Sequence, residues 1–203
     1  YGVVAGFDNT DTSTVTFGSG NNFAGGSGGV SVTGNTVVTN IDLIGGVNGT
    51  VDWHGGANVN LIGGADLADT LQGGEGDDII NARGGDDTVM WSVGDGEDMI
   101  DGGTEGAADT LVVDNVGGAE THFTVSVANT DIIAPPTDDI LVSDNSDTVR
   151  IDEIENIVFN LGSNDDSATF VGNFNNTALH PNTITVNGGS GNNEVDASDI
   201  TSG

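Results

Sequence analysis

Through the middle of the chain, one large aliphatic residue returns at short and nearly even intervals: Leu71, Ile80, Val89, Ile100 and Leu111, spaced by 9, 9, 11 and 11 residues. The positions between them are mostly glycine, aspartate and asparagine, so no helical face of apolar residues can form. A lone aliphatic residue flanked by β-compatible neighbours and bounded by glycine predicts a very short strand with one inward side chain. A looser version of this rhythm fills residues 1–56, where VSV at 30–32, TVVT at 36–39, IDLI at 41–44 and TVDW at 50–53 alternate with glycine pairs. Residues 114–160 differ: HFTVSVA, DILVSD, TVRID and NIVFN are longer runs, joined by the Pro135-Pro136 loop and by Asp, Asn and Ser turns. Residues 161–203 return to short runs, ATFVG, TITVN and EVDAS. No stretch carries a capped helical period. The expected fold class is all-β: a parallel β-roll or β-solenoid, with coils over 1–56, 57–113 and 161–203 and an irregular, partly antiparallel β insert over 114–160.

The polar positions keep phase with the apolar ones. Two residues before each aliphatic stands an aspartate: Asp69, Asp78, Asp87, Asp98 and Asp109. Glycines crowd the same turns, at Gly74, Gly76, Gly85, Gly94 and Gly96. Glycine lets the backbone curl through positive φ and turn its carbonyls towards one point. Calcium takes 6–8 hard oxygen ligands at about 2.3–2.6 Å, from carboxylates and backbone carbonyls. One such turn offers part of that shell, and two stacked turns complete it. If a coil holds two units, the stacked pairs are Asp69 with Asp87, Asp78 with Asp98, and Asp87 with Asp109. Tight Asp-Gly turns in an ordinary β-protein do not require the acid to keep step with the aliphatic.

Charge sharpens this picture. The chain has 32 acidic residues against 2 basic ones, Arg83 and Arg150, for a formal net charge of −30. Such a chain is repelled by nucleic acid and by anionic headgroups, so neither is an expected partner. Its carboxylates oppose compaction unless cations or salt offset them. Cysteine is absent, which excludes disulfides and thiolate metal sites. No apolar run approaches the roughly 18 residues that span a bilayer, so no membrane insertion is expected. The N-terminus lacks the basic region of a classical signal peptide. Both ends read like the middle of a repetitive protein, so the chain is expected to be a piece of a longer one.

The segment GGEGDDIIN, from Gly73 to Asn81, fits G-G-x-G-x-D-x-U-x, where U is a large aliphatic. On this motif the sequence resembles the RTX, or hemolysin-type, calcium-binding nonapeptide-repeat family, over Gly63 to Val113. The resemblance implies a right-handed parallel β-roll with calcium ions between successive turns, type I secretion of the unfolded chain, and folding outside the cell. It also implies that Asp69, Asp78, Asp87, Asp98 and Asp109 are the sixth-position ligands, with Gly74, Gly76, Gly85, Gly94 and Gly96 supplying carbonyls or curl. Two to four well-formed sites are expected. ARGGDDTVM lacks the leading glycine pair, and in GGSGNNEVD the sixth position is Asn193, a neutral ligand.

Other chemistry finds less support. His54, His122 and His180 share no metal-ligand spacing, and no G-x-S-x-G elbow is present. Polysaccharide lyases and glycosidases need basic residues to grip acidic sugars, and this chain has two. Trp53, Trp91 and Phe123 are expected to cap or plug the solenoid rather than to stack on sugars. The reading is of a non-catalytic structural module, extracellular or on a bacterial surface, as part of an adhesin, exoprotein or surface layer. Its expected partners are calcium ions, with cell-surface polysaccharide or copies of itself as further candidates. The alternatives are an ice- or polysaccharide-binding solenoid, or the tail of a secreted hydrolase or epimerase whose catalytic domain lies elsewhere.

Overall fold

A computed structural model describes the backbone of the first six strands and, with side chains, residues 62–64, 67–103, 108–115, 119–128, 139–177 and 183–201. The chain alternates between two sheets. One holds β1 (Val3–Ala5), β3 (Val30–Val32), β5 (Val51–His54), β7 (Thr70–Gln72), β9 (Thr88–Ser92), β11 (Thr110–Asp114), β15 (Asn156–Asn160) and β17 (Thr183–Asn187). The other holds β2 (Val15–Phe17), β4 (Asn40–Leu43), β6 (Leu61–Gly63), β8 (Ile79–Asn81), β10 (Met99–Asp101), β12 (His122–Ala128), β13 (Asp139–Ser143), β14 (Thr148–Asp152), β16 (Ser167–Gly172) and β18 (Glu194–Ile200). Odd strands from β1 to β9 each pair in parallel with the next odd strand, and even strands from β2 to β8 with the next even one. Each coil therefore contains two strands and two turns. The fold is the all-β parallel roll. Its one described helical turn is a 3₁₀ turn at Phe174–Asn176.

Period-2 alternation sets the core. In β7, β8 and β10 the middle residue, Leu71, Ile80 or Ile100, points inward. Parallel register stacks these residues in columns: Leu71, Val89, Leu111, Ile157 and Ile184 on one sheet, and Ile62, Ile80, Ile100 and Ile151 on the other. Each buried aliphatic contributes about 1.5–3 kcal/mol. Ordering the backbone of a nine-residue unit costs roughly 9–18 kcal/mol. One inward side chain per unit cannot meet that, so the turns must contribute. Strands β9, β11 and β15 are five residues long and add a second inward residue each, Trp91, Val113 and Phe159.

Among the described strands, antiparallel pairing enters at one place. β12, β13 and β14 form a meander, with β14 docked in parallel on β10 and β12 in parallel on β16. Where the first sheet passes directly from β11 to β15, the second inserts three strands. The space between the unequal sheets is filled by Phe123, Phe159 and Phe170, with centroid separations of 5.5 and 6.0 Å in tilted and edge-on geometry. Trp91 and Phe123 are fully buried within the sandwich, which corrects the expectation that they cap or plug the solenoid. The Trp91-Ser92 pair that lengthens one repeat extends β9 instead of its turn, so the indole enters the core and its Nε1 donates to the Gly96 carbonyl at 3.3 Å. The side chain of Trp53 lies outside the described residues.

Candidate metal centre

The turns between strands are held in a shape that only glycine takes easily. Gly74, Gly76, Gly85, Gly94 and Gly96 all have φ between +91° and +128°. At Gly96 space is limiting as well, because a Cβ there would run into the Gly76 carbonyl of the previous coil. Successive turns thus stack backbone on backbone, and Gly76 N donates to the Asp95 carbonyl at 2.6 Å across that stack.

On these stacked turns the five aspartates form two files. Asp69, Asp87 and Asp109 each precede a strand of the first sheet; Asp78 and Asp98 each precede a strand of the second. All five are buried. Asp69 N donates to Asp87 Oδ1 at 2.7 Å, Asp87 N to Asp109 Oδ1 at 2.8 Å, and Asp78 N to Asp98 Oδ1 at 2.8 Å. These are the three pairs that two units per coil predict. The first file continues to Glu155, whose Oε2 accepts from Asp109 N at 2.7 Å. Before Asp78 and Asp87 stands a second aspartate that faces outward: Asp77 Oδ1 accepts from Glu97 N at 3.2 Å, and Asp86 Oδ1 from Ala108 N at 3.1 Å. The Asp-Asp dipeptide thus splits its work, the first residue fastening the outer rim and the second facing inward.

Residues 63–90, which carry Asp69, Asp78 and Asp87, match the RTX calcium-binding nonapeptide repeat in four copies. These are RTX repeats. The chain matches no curated protein and no solved structure. RTX repeats make this part of the chain a calcium-binding β-roll.

The electrostatics of the RTX turns call for a cation. Burial raises the Asp98 carboxyl to about 8, with Asp78, Asp95 and Asp77 pushing it further against one backbone hydrogen bond. Burial likewise raises Asp87 and Asp109 to about 7, each aggravated by the neighbouring carboxylates of its file. Glu155 is raised by burial and by Asp86. Every charge acting on these four groups is negative. The two arginines are engaged elsewhere, Arg83 Nη1 on the Gly64 carbonyl at 3.1 Å and Arg150 Nη1 on Asp139 at 3.4 Å. Asp87 Oδ2 is buried and has no hydrogen-bond partner. A buried anionic oxygen left so costs several kcal/mol, and a divalent cation removes that cost. The residues therefore fit calcium. Among the described residues no three carboxylate or imidazole side chains converge on one point, so a bound ion would draw on turn carbonyls for the rest of its oxygens.

The first turn position shows how tightly the carboxylate is held. A Cβ on Gly64 would meet Asp69 Oδ2 at 2.7 Å, and one on Gly102 would meet Asp109 Oδ2 at 2.8 Å. The sixth carboxylate lies across the first residue of its own turn.

Two further carboxylates sit in stacked turns without belonging to the repeat pattern, Glu155 in the first file and Asp166 apart from both. Glu155 follows Asp109 by 46 residues, because the meander intervenes, and no local spacing announces it. Asp166 lies in LGSNDDSAT, where Asp-Asp followed by a polar and a small apolar residue repeats the end of GGDDTV; that dipeptide was the available signal. Asp95 and Asp101 are also buried and raised by burial, Asp95 to about 6, but they sit at strand exits, where they accept from Ser92 N and Gly103 N at 2.8 and 2.9 Å. His122 Nδ1 lies 2.9 Å from Ser167 Oγ, and its Nε2 lies 3.5 Å from an exposed Glu120. His54 and His180 fall outside the residues whose side chains are described.

Proposed function

We propose that the chain is a non-catalytic structural module of a secreted or cell-surface bacterial protein, and that calcium drives its folding. The observation that carries this reading is the pair of buried carboxylate files, negative throughout, with Asp87 Oδ2 lacking any partner. Asp69, Asp78, Asp87, Asp98 and Asp109 hold the ions together with carbonyls of the turns that contain Gly74, Gly76, Gly85, Gly94 and Gly96. Bound calcium supplies positive charge and a strong demand for oxygen ligands between coils. The protein's part is to present two turns at one coil spacing, to bury them and to leave one aspartate per turn facing its neighbour.

At low calcium the net charge of −30 keeps the chain expanded. At the millimolar calcium of extracellular fluid the ions neutralise paired turns, and binding energy becomes folding energy. Residues 57–113 are the calcium-bearing segment in this scheme, and the coils over 1–56 and 161–203 and the insert over 114–160 extend it into a stiff rod. A rod of this kind suits an adhesin, exoprotein or surface layer, with polysaccharide or further copies as partners. The test is far-UV circular dichroism during calcium titration of chelated protein. A cooperative coil-to-β transition is expected, absent in sodium at equal ionic strength and in the Asp78→Ala/Asp87→Ala/Asp98→Ala variant. A spectrum fully β in chelator and indifferent to calcium would refute calcium-driven folding.

A further inference from the structure

Beyond residues 63–113, one buried carboxylate repeats the bonding of an RTX aspartate although its turn does not fit the motif. Asp166 is 1% exposed. Its Oδ1 accepts from Thr121 N at 2.8 Å, its own N donates to Asn193 Oδ1 at 3.0 Å, and its Oδ2 has no partner. Asp87 shows the same three features: Oδ1 accepts from Asp69 N, N donates to Asp109 Oδ1, and Oδ2 has no partner. The outer rim agrees, since Asp165 Oδ1 accepts from Asn192 N at 2.8 Å as Asp86 Oδ1 accepts from Ala108 N. The turns stack directly, with Ser190 N on the Gly162 carbonyl at 2.9 Å. Leu161 and Asn164 stand where the motif has glycine, and Asn164 adopts φ +99°, the left-handed form that asparagine tolerates better than most residues.

A second buried oxygen is present. Asn115 is 6% exposed; its Nδ2 donates to the Ala119 and Leu161 carbonyls at 3.0 and 3.1 Å and to Asp166 Oδ1 at 3.2 Å, while its Oδ1 has no partner. We propose that Asp166 anchors a further calcium site, between the stacked turns that carry Asn115, Asp166 and Asn193. Asp166 Oδ2 supplies the charge, and Asn115 Oδ1 and turn carbonyls supply neutral oxygens. With one buried carboxylate where the repeats stack two, this site is weaker than theirs and belongs with extracellular sites of about 10⁻⁴–10⁻³ M affinity. It would tie the coils beyond the meander to the same ion that folds the roll.

The inference rests on the calcium reading of the repeats, and equilibrium dialysis with radioactive calcium on the full chain separates the two. Asp166→Asn keeps the acceptor for Thr121 N and removes the charge. It is expected to lose one bound ion per chain, the weakest, with the remaining ions and the calcium-loaded circular dichroism unchanged. Asn193→Asp replaces an amide that now donates to the Gly188 carbonyl by a second carboxylate oxygen. It is expected to tighten the weakest site about tenfold, since ligand charge tunes calcium affinity. If the wild-type chain binds no calcium, the function proposed for the repeats fails with this site. If it binds calcium and Asp166→Asn binds as many ions with the same affinities, only the Asp166 site is overturned. Should Asp166→Asn not fold, an Asn193→Asp chain with unaltered calcium binding overturns it equally.

Discussion

Calcium loading at neutral pH should expel protons, and the structure sets how many. Without metal, burial and like charge raise Asp87 and Asp109 to about 7 and Asp98 to about 8. At pH 7 the first two are half protonated and the third is mostly so, and all three must ionise to hold calcium. Calcium entering a roll that has already formed at pH 7 therefore releases about two protons per chain from these groups, falling towards none near pH 10, whereas calcium that folds an expanded chain, whose aspartates are already ionised, releases none. The assay is titration calorimetry in two buffers of different ionisation enthalpy, checked by base uptake in a pH-stat. Asp98→Asn should remove close to one of the protons, because that carboxyl carries the largest share at pH 7. The sign for the metal-free fold is the reverse of a salt-bridged aspartate. A carboxyl raised in the folded state stabilises it fully below the unfolded pKa, and that stability is lost as pH rises through 7 to 8. Chelated protein should thus be most ordered under mild acid, and calcium affinity should climb with pH over the same interval. Calcium binding with no proton release under mild acid, where circular dichroism shows the chelated chain already β, would falsify the claim that these carboxylates are forced together in a metal-free roll.

Other outcomes follow from single contacts. Asp87→Asn should weaken calcium binding yet favour the fold in chelator, as it removes one charge from an all-negative file; the β signal of chelated protein under mild acid should rise while the melting temperature in calcium falls. Gly96→Ala meets both a positive φ and the Gly76 carbonyl and should cost more than about 3 kcal/mol in the calcium-loaded state, whereas Gly94→Ala has open space and should cost about 1–2 kcal/mol for its φ alone. Phe159→Ala, in the centre of the aromatic cluster, should cost about 3–5 kcal/mol by denaturant titration in calcium.

The roll was legible because its two signals reinforce each other. An aspartate two residues ahead of each inward aliphatic fixes both where a turn ends and which face is core, and every such position, from Asp69 with Leu71 to Asp109 with Leu111, is buried. What local spacing could not carry was anything decided across the meander. Glu155 enters the file of Asp109 only because β15 docks on β11, 46 residues along the chain. Asp166 escaped because Leu161 and Asn164 replace the glycines by which such turns are recognised, while the backbone still takes the required φ. Trp91 reads as an end cap because Trp91-Ser92 lengthens its repeat from nine residues to eleven. A strand of five residues absorbs two extra positions with alternation intact, which turns the same residue inward.

The meander also bears on how the rod assembles. An ideal solenoid grows by adding each new strand to the edge its predecessor left. Here the edge of β10 stays bare while β12 and β13 emerge, and is closed only by β14, some 50 residues after β10. β12 runs in the same direction as β14, so that edge accepts either one by backbone pairing alone. Growth from the repeats therefore reaches a fork, and the correct branch is locked only once β16 arrives to take β12. The meander is therefore expected to act as a joint, where the coils before and after it can form separately before they close, so that substitutions on one side need not weaken the other.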